Sequence, residues 1–158
     1  MRAFSRSLPM ELLRAREAVM RQFRPGLRGQ GVTEQQWRIL RALAHFGPLE
    51  VGALAEATFL LAPSLSRILL DLEARQLTAR RQLESDLRRS VISLEPKGLR
   101  LIAEHAPTSE KTYDDITSRF GQERLAQLFT LLKELEDCLE APPHRLAAPR
   151  PKPKRAAR

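Results

Sequence analysis

Cysteine occurs once in the 158 residues, at Cys138, so no intramolecular disulfide can brace the fold. The three histidines, His45, His105 and His144, are scattered without metal-ligand spacing, which argues against a zinc module. No metal or other cofactor is expected. A run of about 18 apolar residues, the minimum for a membrane-crossing helix, is also missing, and no membrane partner is expected. The N-terminal stretch carries Arg2, Arg6, Glu11, Arg14, Arg16 and Glu17 without an apolar core or a small-residue cleavage site, so the expected location is the cytoplasm. Glycine-rich phosphate loops, GxSxG elbows and HExxH runs do not occur, and the chain is not expected to be an enzyme. Cys138 falls in a leucine-rich segment, which makes a buried or interface position the expectation and a redox sensor unlike it.

What the chain does have is positive charge, unevenly placed. Lysine and arginine total 27 against 19 acidic residues, a net of +8. Six of those 27 basic residues (Arg145, Arg150, Lys152, Lys154, Arg155 and Arg158) lie after position 143, with no acid among them. The body is thus close to neutral, and any case for nucleic acid rests there on local placement. Residues 142–158, with five prolines, cannot bury an apolar face and are expected to be a disordered basic tail. Such a tail either adds salt-sensitive attraction to phosphates or is merely solvated.

Helical periods dominate the body. Leu13, Arg16, Met20, Phe23 and Leu27 share one face of a first helix, expected to end before a loop over 26–31. Thr33 and Gln36 form a capping-box pattern opening a second helix, with Val32 and Trp37 as its staple, and Gly47 and Pro48 stop it. A short third helix spans about Val51–Ala57, with Leu54 and Ala55 inward, and the turn Phe59-Leu60-Leu61 follows. A fourth helix starts near Pro63, where a missing N–H costs nothing, and Leu65, Ile68, Leu69 and Leu72 form its stripe. Two strands, 77–83 and 90–94, then flank a loop over 84–89. Leu99, Ile102, Ala106, Ser109, Tyr113, Ile116 and Phe120 continue as a helix that Pro107 is expected to bend or break.

This order is that of a helix-turn-helix followed by a basic hairpin wing. Pro63, Ser64, Ser66 and Arg67 sit at the N-terminal end of the fourth helix, where a recognition helix meets base edges; alternatively they are ordinary solvated residues. Arg88 and Arg89 at the hairpin tip suit a narrow minor groove, with Asp86 holding Arg88, and Arg80 and Arg81 on the first strand suit phosphates.

The run Asp86-Leu87-Arg88-Arg89, continuing through Ser93-Leu94-Glu95-Pro96-Lys97-Gly98, resembles the wing signature of the MarR family of winged-helix regulators. Leu13-Arg14-Ala15-Arg16-Glu17-Ala18, Phe23-Arg24-Pro25 and Val32-Thr33-Glu34-Gln35-Gln36-Trp37-Arg38-Ile39-Leu40-Arg41 are similar to members that regulate aromatic-acid catabolism, of the homoprotocatechuate (4-hydroxyphenylacetate) degradation type. The similarity spans roughly residues 8–140. Ala62 stands where relatives tend to carry a basic residue and Arg67 where a small one is usual, so no operator sequence is carried over. The fold expected is mainly α with a small β-hairpin wing: one domain over 8–141, a winged helix-turn-helix at about 48–98, and dimerisation helices at about 8–28 and 99–141.

Leu125, Leu128, Leu132, Leu135 and Leu139 repeat at three-four spacing on a last helix with little left to cover in so small a domain. Together with Leu8 and Leu12 they are expected to pack on a second copy, the alternative being an internal bundle. The resemblance implies the homodimer too. Two recognition helices then face a pseudo-palindromic site with half-sites about one turn (~34 Å) apart on double-stranded DNA.

Arg16, on an otherwise apolar stripe, needs a carboxylate. Trp37, Arg41 and His45 at i, i+4 and i+8 offer a ring face, a cation and a titratable donor along one side of the second helix. With Met20 and Phe23 they would suit a small aromatic or heteroaromatic carboxylate between the two helices; alternatively Arg16 pairs with Glu17, Glu34 or another internal acid. The resemblance implies a repressor released from DNA by such an acid. The competing function is an architectural DNA-binding protein indifferent to sequence and without a ligand.

Overall fold

The computed structural model describes residues 7–83 and 86–140, without the side chains of Leu87 and Arg88. The tail expected over 142–158 lies outside the described residues. The chain divides into two compact units, Met1–Asp114 and Asp115–Arg158.

The first unit opens with α1 (Leu8–Gly29), which takes in residues 26–29 of the expected loop and leaves only 30 and 31 to the turn. Pro25 and Gly26 do not end it, because Leu27, the next residue, is buried and anchors the last turn. Gln30 and Gly31, the latter at φ +65°, then turn the chain. α2 (Glu34–Phe46) starts at the expected capping box: Gln36 N–H donates to Thr33 Oγ1 at 3.2 Å, and Thr33 N–H donates to Gln36 Oε1 at 2.8 Å. Gly47, at φ +78°, closes it.

A two-residue strand absent from the sequence reading, β1 (Leu49–Glu50), leads into α3 (Val51–Thr58). α4 (Ala62–Ala74) follows after three residues at an angle of 107°, the crossing of a helix-turn-helix. β2 (Thr78–Leu83) and β3 (Asp86–Leu94) form the wing, and β1 joins β3 to make an antiparallel sheet in the order β1-β3-β2. The hairpin is therefore tighter than expected. β3 begins four residues early, because pairing continues to Leu83↔Asp86 through an irregularity after Gln82.

Leu54, Leu65, Leu69, Leu72, Leu77 and Ile92 close over Ile39, Leu40 and Leu43 of α2 to form the core. α5 (Pro96–Phe120) is seated by Gly98, where a Cβ would lie 2.3 Å from the Leu77 carbonyl oxygen. Pro107 does not break α5. Of the stripe read along it, Leu99 is exposed while Ile102 packs against the core and Ala106, Ser109 and Ile116 are half-buried; the fully buried positions are Gly98 and His105.

In the second unit, α6 (Gln122–Glu140) has no fully buried residue among those described. Cys138 is exposed, so burial within the chain is corrected. No single helix among the described residues is long and apolar enough to cross a membrane.

Candidate functional site

The reading head is built by packing three leucines of α4 into the core. With Leu65, Leu69 and Leu72 fully buried, the helix phase leaves Pro63, Ser66 and Arg67 exposed and Ser64 half-buried at its N-terminal end. Gln36 Nε2, next to the capping box of α2, donates to Asp71 Oδ2 at 2.6 Å and ties the two helices together.

On the wing, the arginines differ in their freedom. Arg80 Nε donates to Glu73 Oε1 of α4 at 3.1 Å, while Arg81 is exposed. Arg89 is not at a tip; it lies within β3, and its Nε donates to Glu50 Oε2 at 2.9 Å while Nη2 reaches the other carboxylate oxygen. That bidentate grip raises the Arg89 pKa and spans the sheet from β3 to β1. The side chain of Arg88, and so its relation to Asp86, lies outside the described residues.

Between α1 and α2 the predicted effector residues are distributed over a charged junction and an aromatic one. Arg16 is not buried: its side chain keeps 43% of its exposure, so no desolvated cation strains the helix. It pairs with both Glu17 and Glu34, the internal-acid alternative in a single chain. Glu34, 18% exposed, is the hub. It also accepts from Arg24 Nη2 at 3.1 Å and from Arg38 Nη2 at 2.9 Å. Arg24 grips Glu17 at 2.8 Å as well, and that hydrogen bond holds the Glu17 carboxyl below its ordinary pKa. Arg38 extends the network to the reading head, since its Nη1 donates to the Thr58 carbonyl at 2.9 Å, the last residue of α3 before the turn.

The aromatic junction lies alongside. Half-buried Phe23 meets Tyr113 of α5 edge-on at 4.9 Å. Trp37 meets His105 at 4.7 Å, and Arg41 stands 6.0 Å from the indole centre, the outer limit of a cation–π contact. Met20 is half-buried. His45 is not part of this group; it is exposed and packs on Phe46 at 4.5 Å. A cleft of about 560 Å³ at the wing root, lined by Glu73, Thr78, Arg80, Lys97 and Arg100 among others, takes in none of these residues.

Three contributors escaped the sequence reading. Arg38 lies four residues after Glu34, a spacing that marks a helical ion pair and could have been found. His105 and Tyr113 could not, because their partners come from other helices. Buried His105 fits a notch at Gly26, where a Cβ would stand 2.9 Å from its ring, and burial lowers its pKa.

The comparisons agree with this architecture. A profile described as the MarR family matches residues 30–89. The chain is 40% identical over 138 residues to the HTH-type transcriptional regulator FarR of Neisseria gonorrhoeae, covering 85% of this chain and 94% of that protein. It is 39% identical over 128 residues to the homoprotocatechuate degradative operon repressor of Escherichia coli, covering 81% and 86%. Among solved structures it superposes on NadR in complex with 4-hydroxyphenylacetate with a TM-score of 0.73 at 38% identity, covering 85% of this chain and 96% of that one. With a helix-turn-helix, a wing and relatives matched over most of their length, this chain belongs to the MarR family of transcriptional regulators.

Proposed function

We propose that the protein is a dimeric repressor of an operon for the breakdown of an aromatic or heteroaromatic acid, released from a pseudo-palindromic operator when a small aromatic carboxylate binds. The observation that carries this reading is the Glu34 hub, one carboxylate shared by an arginine of the candidate effector site and an arginine that holds the helix-turn-helix.

The chemistry follows from the charges. A planar acid seated against Trp37, with Arg41, Met20 and Phe23 around it, brings a second carboxylate within reach of Arg16. It then competes with Glu34 for that guanidinium. Glu34 is left to Arg24 and Arg38, and the pull on Arg38 changes at the Thr58 carbonyl. An acid releases the DNA only to the extent that it binds one arrangement of this network better than the other. The names of the relatives, a homoprotocatechuate operon repressor and a protein crystallised with 4-hydroxyphenylacetate, support a hydroxylated aromatic acid as the effector class.

On the DNA side, Pro63, Ser64, Ser66 and Arg67 are assigned to the major groove, Arg80 and Arg81 to phosphates, and Arg88 and Arg89 to the wing contact. For Arg89 the reading requires that DNA phosphates share or replace Glu50. The dimer is assigned to leucines of two helices: exposed Leu8 and Leu12 of α1, and exposed Leu128 and Leu132 with half-buried Leu125 and Leu135 of α6. Leu8 is 49% exposed, and Leu128 and Leu132 are each 40% exposed, apolar area that a second copy would remove from water.

The test is the Arg16→Ala variant, assayed for operator binding with and without the acid that releases the wild type. Retained binding with a lost acid response is expected. A variant that unfolds, or that still responds fully, assigns Arg16 to an internal salt bridge and removes it from the effector site.

A further inference from the structure

Two neighbouring residues in the turn between α3 and α4 break local rules at once. Phe59 adopts the left-handed conformation, φ +52°, which bulky L side chains rarely occupy, and its ring is 83% exposed. Leu61 holds the N-cap position of α4, where Ser, Thr, Asp or Asn would normally accept a backbone N–H; it makes no side-chain cap and is 78% exposed. A strained phenylalanine and an uncapping leucine, both turned to solvent, sacrifice stability within three residues. Such concentrated departures are expected where the chain serves binding.

We propose that Phe59 and Leu61 are apolar specificity residues that read thymine C5-methyl groups in the major groove. The proposal rests on the DNA-binding reading above. The pair is continuous with the N-terminal end of α4, the end that a helix-turn-helix presents to base edges. Between Val51 and Ser66 the only charged residue is Glu56, so this surface is ill suited to phosphates. The C5-methyl of thymine is the apolar group that the major groove displays, and apolar side chains meet it by excluding water. Phe59 and Leu61, together with Ala55, Leu60 and the single carboxylate of Glu56, line a shallow and largely apolar groove for it.

The experiment uses the full chain and an operator duplex selected by binding from a random pool, synthesised once with thymine and once with uracil, which lacks only the methyl. Wild type is expected to bind the uracil duplex more weakly by about fourfold for each methyl contacted, the worth of one buried carbon. Leu61→Ser supplies a cap, so its melting temperature is expected to rise while its affinity for the thymine duplex falls and its thymine-to-uracil ratio collapses toward one. Phe59→Gly relieves the left-handed strain and is expected to behave likewise. Wild type that binds both duplexes equally overturns the proposal, as does a Leu61→Ser variant with the wild-type ratio. Unchanged DNA affinity in both variants, with loss of a bound protein partner instead, also overturns it. If no sequence is enriched from the pool, the DNA-binding reading falls with it; selective binding that ignores the methyl removes only this inference.

Discussion

Replacing Arg38 by methionine removes a guanidinium that bridges α2 to the end of α3 while keeping most of its apolar stem. Two interactions go. The bond from Nη1 to the Thr58 carbonyl, 2.9 Å long, is charge-assisted and reaches a fully buried residue. Such bonds are worth roughly 1.5–3 kcal/mol when desolvated. Because the Arg38 side chain keeps 33% of its exposure, screening brings the figure to the lower end, about 1–1.5 kcal/mol. The i,i+4 pair with Glu34 adds about 0.3–0.5 kcal/mol. A total of about 1.3–2 kcal/mol corresponds to a fall in melting temperature of roughly 5 °C for a chain of this size. Thermal unfolding followed by circular dichroism reads that fall. If the turn between α3 and α4 loses the same preorganisation, operator affinity drops on the order of tenfold, since 1.4 kcal/mol is one decade. A melting temperature within about 1 °C of wild type refutes the energetic accounting. The expected fall with unchanged operator affinity refutes the link between the Glu34 hub and the reading head.

Other consequences are open to direct measurement. Burial lowers the pKa of His105 from its ordinary 6.5, so below that pH the unfolded chain takes up a proton that the folded chain refuses. Stability is therefore expected to be complete above 6.5, to fall as pH drops toward the folded value, and to level off beneath it; a His105→Met variant that keeps the same slope contradicts this. Gly98→Ala places a methyl 2.3 Å from the Leu77 carbonyl and should cost about 1–3 kcal/mol as α5 is pushed off the wing root. Urea unfolding of that variant at wild-type stability would show that the backbone yields freely there. Leu128→Glu with Leu132→Glu should convert a dimer into a folded monomer by sedimentation velocity, and persistence of the dimer would remove α6 from the interface.

Much of the fold was legible because its signals are local. The capping box at Thr33, the stop at Gly47 and the leucine stripe of α4 each depend on residues within one or two turns, and each lies where the sequence put it. The misreadings share a different origin. Pro25 and Gly26 look like a helix end, yet α1 continues because buried Leu27 draws its last turn into the structure. Leu99 looks like core by its side chain, yet Gly98 faces inward because only a residue without a Cβ fits beneath the Leu77 carbonyl. β1 is two residues long, far too short for a periodicity, and exists only because β3 is there to pair with it. The candidate site divides the same way: Arg16, Trp37 and Arg41 could be seen on their own helices, whereas the contacts of His105 with Trp37, of Tyr113 with Phe23 and of Glu50 with Arg89 are tertiary.

The central claim is a sequence-selective grip on DNA that a small aromatic acid releases. Its most direct test is binding, at physiological salt, to the intergenic DNA upstream of this protein's own gene, with and without a panel of hydroxylated aromatic and heteroaromatic carboxylic acids. The account predicts tight binding that survives competition by unrelated DNA and is relieved by one class of acid. Binding that vanishes as salt is raised, shows no sequence preference and ignores every acid would contradict it and leave an architectural protein in its place.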